Sequence, residues 1–376
     1  MTEVTLPEPD RVEGAPHPRE TEHLYGQGAA EAAFLEAYAT GRLHHGWLLT
    51  GPRGVGKATL AWRIARFLLA TPPDAVGGLF GDPAPAPVTL DIPPDHPTAR
   101  RMRAGAEPGL FVLRRGPNDK GDRLSAEIRV DEVRKLKSFL HLSSADGGRR
   151  VVIVDAADEL NIAAANALLK LLEEPPEGAT LLLVAHQPSR LLPTIRSRCR
   201  ELRLAPLGSE ELAQALASAG AEGDASRLSV LSAGSAGEAV RLVNQGGLDA
   251  YQEIVVLFAS LPRLDRPAAL KLAESAAQRG GAETRLDLLI ALMDLFLARL
   301  ARAGVTGIAG PEAAPGEAAL LARLSPHPAA ARAWADLHQT LGARARHGRA
   351  VNLDPAALLL DMIFRIDQTA GALALR

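Results

Sequence analysis

The 376-residue chain carries 47% hydrophobic and 23% charged side chains. That balance fits roughly two or three globular domains and excludes a disordered or collagen-like protein. Its 42 basic and 44 acidic side chains leave a net charge of −2, so the chain as a whole is no strong polyanion binder. No apolar run approaches the ~18 residues of a transmembrane helix. Residues 1–20, with Pro7, Pro9, Pro16 and Pro18 among acidic side chains, lack the pattern of a signal peptide. A single cysteine, Cys199, makes neither an internal disulfide nor a zinc cage. A reduced, cytoplasmic, multidomain protein is expected, without membrane contact.

From His23 to Ala205, short apolar runs alternate with helical patterns, the rhythm of a parallel α/β sheet. The strands predicted in chain order are Trp47–Leu49, Leu110–Leu113, Val151–Val154 and Leu181–Val184. Each is apolar throughout, as strands buried on both faces are. A helix is predicted from Ala58 to Leu69, stopped by Pro72 and Pro73. A second runs from Asn161 to Glu174, stopped by Pro175 and Pro176. Residues 72–97 interrupt the rhythm with eight prolines; so long a loop is either functional or a surface insertion. From Pro206 the texture turns helical, with predicted helices Ser209–Gly220, Ala225–Ser232 and Ala236–Asn244. From Leu248 the chain is helical and rich in Ala and Leu, with one Gly/Pro-rich gap near 304–316.

Gly51-Pro52-Arg53-Gly54-Val55-Gly56-Lys57 lies between a predicted strand and an amphipathic helix. Glycines let the backbone N–H groups and the helix N-terminus close around phosphate oxygens, and Lys57 adds a cation for the β- and γ-phosphates. A complete P-loop next carries Ser or Thr, whose hydroxyl holds Mg²⁺. Here that residue is Ala58. Thr59 follows, but one helical step rotates by about 100° and turns it away from the ligand position. Asp155 ends the strand Val151–Val154, where a metal-organising carboxylate belongs. Active ATPases commonly follow that Asp with a Glu that polarises the attacking water; here Ala156 follows. Two separate motifs therefore lack a catalytic side chain, and an inactive ATP site is expected.

Further motifs complete the pattern. Asn166-Ala167-Leu168-Leu169-Lys170-Leu171-Leu172-Glu173-Glu174-Pro175-Pro176 resembles a helix signature of clamp-loader subunits, and Ser197-Arg198-Cys199 resembles their arginine-finger motif. Tyr25-Gly26-Gln27 and His45 through Gly51 resemble the family's entry into the P-loop. The chain is thus similar to the AAA+ clamp-loader family, well over residues 22–245 and in helical texture beyond. The losses at Ala58 and Ala156 resemble its delta-prime branch rather than the gamma and tau motors. The family's sensor-2 arginine falls where Gly237 stands, and its sensor-1 threonine region matches Val184-Ala185-His186. Many relatives carry a cysteine-rich zinc module after the P-loop; this chain has none, so no zinc is expected.

The resemblance implies a RecA-like, parallel-sheet AAA+ P-loop domain over residues 23–205, after a flexible segment 1–22. A helical lid (206–248) and an all-α collar for oligomerisation (249–376) follow. It implies a stator in DNA polymerase III, held between delta and a gamma or tau subunit, that helps load a sliding clamp on primer-template DNA. Residues 51–59 with Asp155 form a degenerate site expected to hold ATP weakly or not at all, and Mg²⁺ only with nucleotide. Arg198 is the catalytic candidate, acting in trans. Without the Ser-Arg-Cys context, Arg196, Arg198 and Arg200 read as a solvated run. Arg100, Arg101, Arg103, Arg114 and Arg115 read as solvated surface rather than phosphate contacts. Two alternatives stay open: an active gamma/tau-like motor or other remodeller in which Thr59 with Asp158 or Glu159 makes up the losses, and a nucleotide-sensing module outside replication.

Overall fold

The computed structural model describes residues 6, 8–41, 43–71, 87–141, 148–277 and 285–375. Much of the Pro-rich stretch, residues 72–86, therefore lies outside the described residues, as do residues 1–5 and 7 of the N-terminal segment. The chain divides into two compact units: residues up to 220 with 234–238, and residues 221–233 with 239 onward.

The first unit is built on five parallel strands: β1 (Gly46–Thr50), β2 (Leu110–Arg114), β3 (Arg150–Asp155), β4 (Ala179–Ala185) and β5 (Arg200–Arg203). Their order across the sheet is β2-β3-β4-β1-β5. The four apolar runs predicted as strands are all strands. β5 was not predicted: its side chains are Arg, Glu, Leu and Arg, and only Leu202 is buried. It is an edge strand paired with β1 alone, where charged side chains reach water and discourage further pairing.

Among the described residues, seven helices accompany the sheet: α1 (Gly28–Ala39), α2 (Lys57–Ala70), α3 (Pro97–Arg103), α4 (Val130–His141), α5 (Ile162–Glu173), α6 (Pro193–Arg196) and α7 (Ser209–Ser218). Leu48, Val152, Val154, Leu181 and Leu183 share one core cluster with Val133 and Leu136 of α4 and Leu168 of α5. Trp47, one residue from Leu48 and so on the opposite face, packs on Phe34 of α1 with ring centroids 5.0 Å apart. Both faces are thus covered, which is why the central strands read as unbroken apolar runs. Asn161 caps α5 by accepting the Ala164 N–H at 2.9 Å.

The second unit is all-helical: α8 (Ala225–Ser232), most of α9 (Ala236–Asn244), α10 (Gly247–Ala259), α11 (Arg266–Ser275), α12 (Arg285–Thr306), α13 (Glu317–Leu324), α14 (Pro328–Ala350) and α15 (Pro355–Ala374). Leu289, Met293, Phe296 and Leu300 of α12 are buried, as are Trp334 and Leu341 of α14. Trp334 donates its indole N–H to the Leu324 carbonyl at 2.8 Å. Among the described residues of this unit, one charge lies fully inside. Glu317 accepts from Tyr251 Oη (2.6 Å), Arg299 Nε (2.6 Å) and the Ala313 N–H (2.7 Å). Burial and this carboxylate together push the Tyr251 phenol well above its ordinary range.

Residues 206–248, expected as a lid, are shared between the two units. The cause is local. Leu207 N–H donates to the Gly234 carbonyl at 2.9 Å, and Gly237 N–H to the Gly54 carbonyl at 3.0 Å. These bonds tie 234–237 to the sheet unit. No helix among the described residues is long and apolar enough to cross a membrane.

Candidate functional site

The loop from Gly51 to Gly56 leaves the C-terminal end of β1, which lies between β4 and β5. The chain departs from β1 for the far edge at β2 and returns to its other side at β5, so a ligand crevice opens at this end of the sheet. Gly51 (φ +138°) and Gly54 (φ +77°) both lie in the left-handed half of backbone space. A Cβ on Gly51 would sit 2.4 Å from the Leu204 carbonyl oxygen, and one on Gly54 would sit 2.3 Å from Ser235 Oγ. Conformation and space both demand glycine here.

Lys57 is the first residue of α2 and is almost fully buried. Its ammonium turns back on the loop, donating to the Gly51 carbonyl at 2.7 Å and to the Pro52 carbonyl. Burial pushes it down to about 8, against the attraction of Asp155 and Asp158. Ala58 and Thr59 follow, both half-buried. Asp155 ends β3, buried, with Arg114 of β2 and Val184 of β4 as its register partners. Burial, then the negative charges of Asp10 and Glu159, push its carboxyl up to about 7. Ala156 beside it is also buried.

The two acids that follow are engaged elsewhere. Asp158 accepts the His186 N–H on Oδ1 and the Gln187 N–H on Oδ2, both at 3.0 Å. It ties the β3 end to the β4 end. Glu159 pairs with Arg115 Nε at 2.9 Å. His186 is pushed down to about 4, by burial first and then by the nearby Lys57 charge.

The phosphate cradle is therefore intact in backbone shape but does not fit a magnesium nucleotide. Ala58 offers no oxygen, Asp155 is held toward its neutral form, and Lys57 is bonded to its own loop. Among the described residues no group of three or more His, Cys, Asp or Glu could hold a metal ion. Gly237 touches Gly54 directly, which brings the predicted sensor-2 segment to the loop.

Arg198 is elsewhere. It follows α6 and precedes β5, and its carbonyl oxygen and the Cys199 sulfur lie 3.2 and 3.3 Å from a Cβ placed on Gly46. Gly46 starts β1 and the P-loop leaves its other end, so the structure does not bring Arg198 to residues 51–59 or Asp155. Its guanidinium donates to the Thr194 carbonyl (3.0 Å) and pairs with Glu173 Oε1 (2.9 Å). Cys199 is half-buried, and burial pushes its thiol up to about 12, which makes it a packing residue rather than a nucleophile. Of the other arginines, Arg101 pairs with Glu107, Arg103 with Glu22 and Arg114 with Asp10. Asp10 at the site and Glu173 at the finger were both missed, since neither belongs to a pattern that sequence spacing reveals.

Comparison with known proteins gives the kinship. The family model described as DNA polymerase III, delta subunit, matches residues 26–208. The chain is 39% identical over 235 residues to DNA polymerase III subunit delta' of Pseudomonas aeruginosa, an alignment of 61% of this chain and 65% of that protein, just under two thirds of its length. It is 30% identical over 342 residues to DNA polymerase III subunit delta' of Escherichia coli K12, covering 89% of this chain and 92% of that protein. A solved gamma subunit-related protein from Thermotoga maritima superposes with a TM-score of 0.43 at 18% identity, covering 90% of this chain and 99% of that one. With 92% of the Escherichia coli delta' subunit covered at 30% identity, the chain belongs to the DNA polymerase III delta-prime subunit family.

Proposed function

We propose that the chain is a clamp-loader subunit of the stator type, with a silent ATP site of its own and an arginine that completes a neighbour's site. The observation that carries this reading is the position of Arg198 beside Gly46, at the opposite end of β1 from the P-loop. At ~3.3 Å per residue the strand alone separates them by roughly 16 Å. Arg198 therefore has no access to its own phosphate site, whereas a half-exposed guanidinium suits a γ-phosphate presented by another subunit.

The partners in this reading are delta and a gamma or tau motor, and through the complex the sliding clamp and primer-template DNA. The chain then works in the cytoplasm as part of the DNA polymerase III holoenzyme, without turning over ATP itself. The losses at Ala58 and Ala156 support silence, as does the engagement of Asp158 and Glu159 by backbone and Arg115. Residues 249–376 are assigned to assembly; Val256, Leu270, Val305 and Ile308 there are apolar and exposed.

The test is a reconstituted complex carrying Arg198→Ala, matched for subunit content. DNA- and clamp-stimulated phosphate release at the neighbouring site should fall, and clamp loading should slow. Arg198→Lys should rescue poorly, because it keeps the charge but loses the planar fork that bridges phosphate oxygens. The loss is partial, since the other motor sites keep their own fingers. Unchanged release and loading would return Arg198 to the solvated run.

A further inference from the structure

Residues 8–24 precede every motif described above, yet they are fastened at several points. Asp10, with its side chain 1% exposed, accepts from Arg114 Nη1 at 2.6 Å and lies 3.1 Å from His17 Nε2. His17 is fully buried and meets Trp62 of α2 edge-on, with centroids 5.6 Å apart. Its Nδ1 accepts the Arg19 N–H at 3.0 Å, which leaves the ring proton on Nε2, the nitrogen nearer Asp10. Arg19 also pairs with Glu8 at 2.8 Å. The Arg19 carbonyl accepts from Arg66 at 2.8 Å, and the Glu22 carbonyl accepts from Arg63. The segment expected to be flexible is thus strapped to α2 and β2.

The course of the strap matters more than its anchors. Arg114, which holds Asp10, stands opposite Asp155 in the β2–β3 register. Two residues beyond Asp10, Val12 Cγ2 lies 3.5 Å from a Cβ placed on Gly237, whose N–H is bonded to Gly54. Further along, Leu24 Cδ1 lies 2.5 Å from a Cβ placed on Gly56. The strap therefore passes from the tip of β2, beside the tip of β3, to the glycines of the P-loop. That is the crevice at the C-terminal ends of the strands, where a nucleotide would lie across the loop.

We propose that residues 8–14 are a tethered plug of this chain's own nucleotide site, seated by the Asp10–Arg114 and Asp10–His17 pairs. The plug rests on the reading of residues 51–57 as a degenerate ATP site. It adds a second reason for silence: besides lacking Mg²⁺ ligands, the site is occupied by the chain itself. A plug seated in nine copies out of ten lowers apparent affinity by about tenfold, because only the open fraction binds.

The experiment pairs two measurements on the full chain: equilibrium dialysis with radiolabelled ATP, with and without Mg²⁺, and hydrogen exchange of the peptide covering residues 8–24. Arg114→Ala should speed exchange of the strap and raise ATP affinity about tenfold. Val12→Gly removes the side chain nearest Gly237 while leaving every ion pair in place, and it should raise affinity in the same direction even where Arg114→Ala compromises folding. In the wild type, saturating ATP should speed exchange of residues 8–16. Faster exchange with no gain in ATP binding in either variant would overturn the plug, as would a rapidly exchanging strap in the nucleotide-free wild type. The stator reading is judged separately, by phosphate release from the Arg198→Ala complex, so one can fail while the other stands.

Discussion

The guanidinium of Arg198 lies 2.9 Å from the carboxylate of Glu173, the last residue of α5. Two stretches that resemble family signatures, the Leu-Leu-Glu-Glu-Pro-Pro helix end and Ser-Arg-Cys, are therefore joined by one ion pair. Its partners are 37% and 41% exposed, and a pair so open to water is held by well under ~1 kcal/mol. Weak holding is what the proposed role in trans requires, since Arg198 would leave Glu173 at little cost. A double-mutant cycle with Arg198→Ala and Glu173→Ala, followed by urea unfolding of the isolated chain, should give a coupling below ~1 kcal/mol. A coupling above ~2 kcal/mol would make the pair a structural clamp instead.

Asp158 should behave in the opposite way, important to stability and irrelevant to turnover. Both of its oxygens accept backbone N–H groups of the β4 end, and the side chain is buried. Asp158→Ala takes the acceptor from two N–H groups, one on half-buried His186 and one on exposed Gln187, which costs about 1–3 kcal/mol. Asp158→Asn keeps one acceptor oxygen and should lose about half as much. Equal stabilities of the two variants, measured by urea midpoints, would contradict this account.

The isolated chain should release phosphate from ATP at the background rate, and Lys57→Ala should change nothing. The hydroxyl expected after Lys57 is absent, and the residue after Asp155 carries no group to polarise water. One missing acid–base group alone typically removes about 10²–10⁴-fold in rate. Steady-state turnover that vanishes in Lys57→Ala would show an active site, with Thr59 or Glu159 making up the losses.

What the sequence reveals follows from how local each feature is. β1, β3 and β4 are visible because central strands buried on both faces carry unbroken apolar runs, as Leu181–Val184 does, and β2, half-buried at one edge, still carries four apolar residues in a row, Leu110–Leu113. β5 is hidden because only Leu202 of its four residues is buried, and Arg200, Glu201 and Arg203 match a loop as well as a strand. The P-loop and the Asp155 position are legible because a phosphate cradle needs its glycines within one turn of chain. The strap is not. Asp10 and Arg114 are 104 residues apart, and neither residue alone distinguishes a buried pair from two solvated charges. Glu173 is a similar case: its own motif announces a helix end, and only the fold brings it to Arg198.

The pH dependence of stability isolates Asp155. Its carboxyl is raised from an ordinary 3.8 to about 7 in the folded chain. Between those values the folded state holds a proton that the unfolded state has released, so stability falls as pH rises through that window. The contribution is fully present below about pH 4 and lost above about pH 7. His186 works against it. Lowered from 6.5 to about 4, it takes up its proton in the unfolded state first, so its contribution is lost as pH falls through about 4. The two slopes oppose each other between pH 4 and 6.5, so the wild-type profile alone does not isolate Asp155. Asp155→Asn removes one of them, keeping the shape of the side chain without the titration. The variant should be more stable than the wild type at pH 8, and the gain should shrink steadily and vanish near pH 4. Urea unfolding of both proteins at half-unit intervals reads the difference directly. A stability gain that stays constant across the range would mean that Asp155 ionises in the folded chain as it does in water.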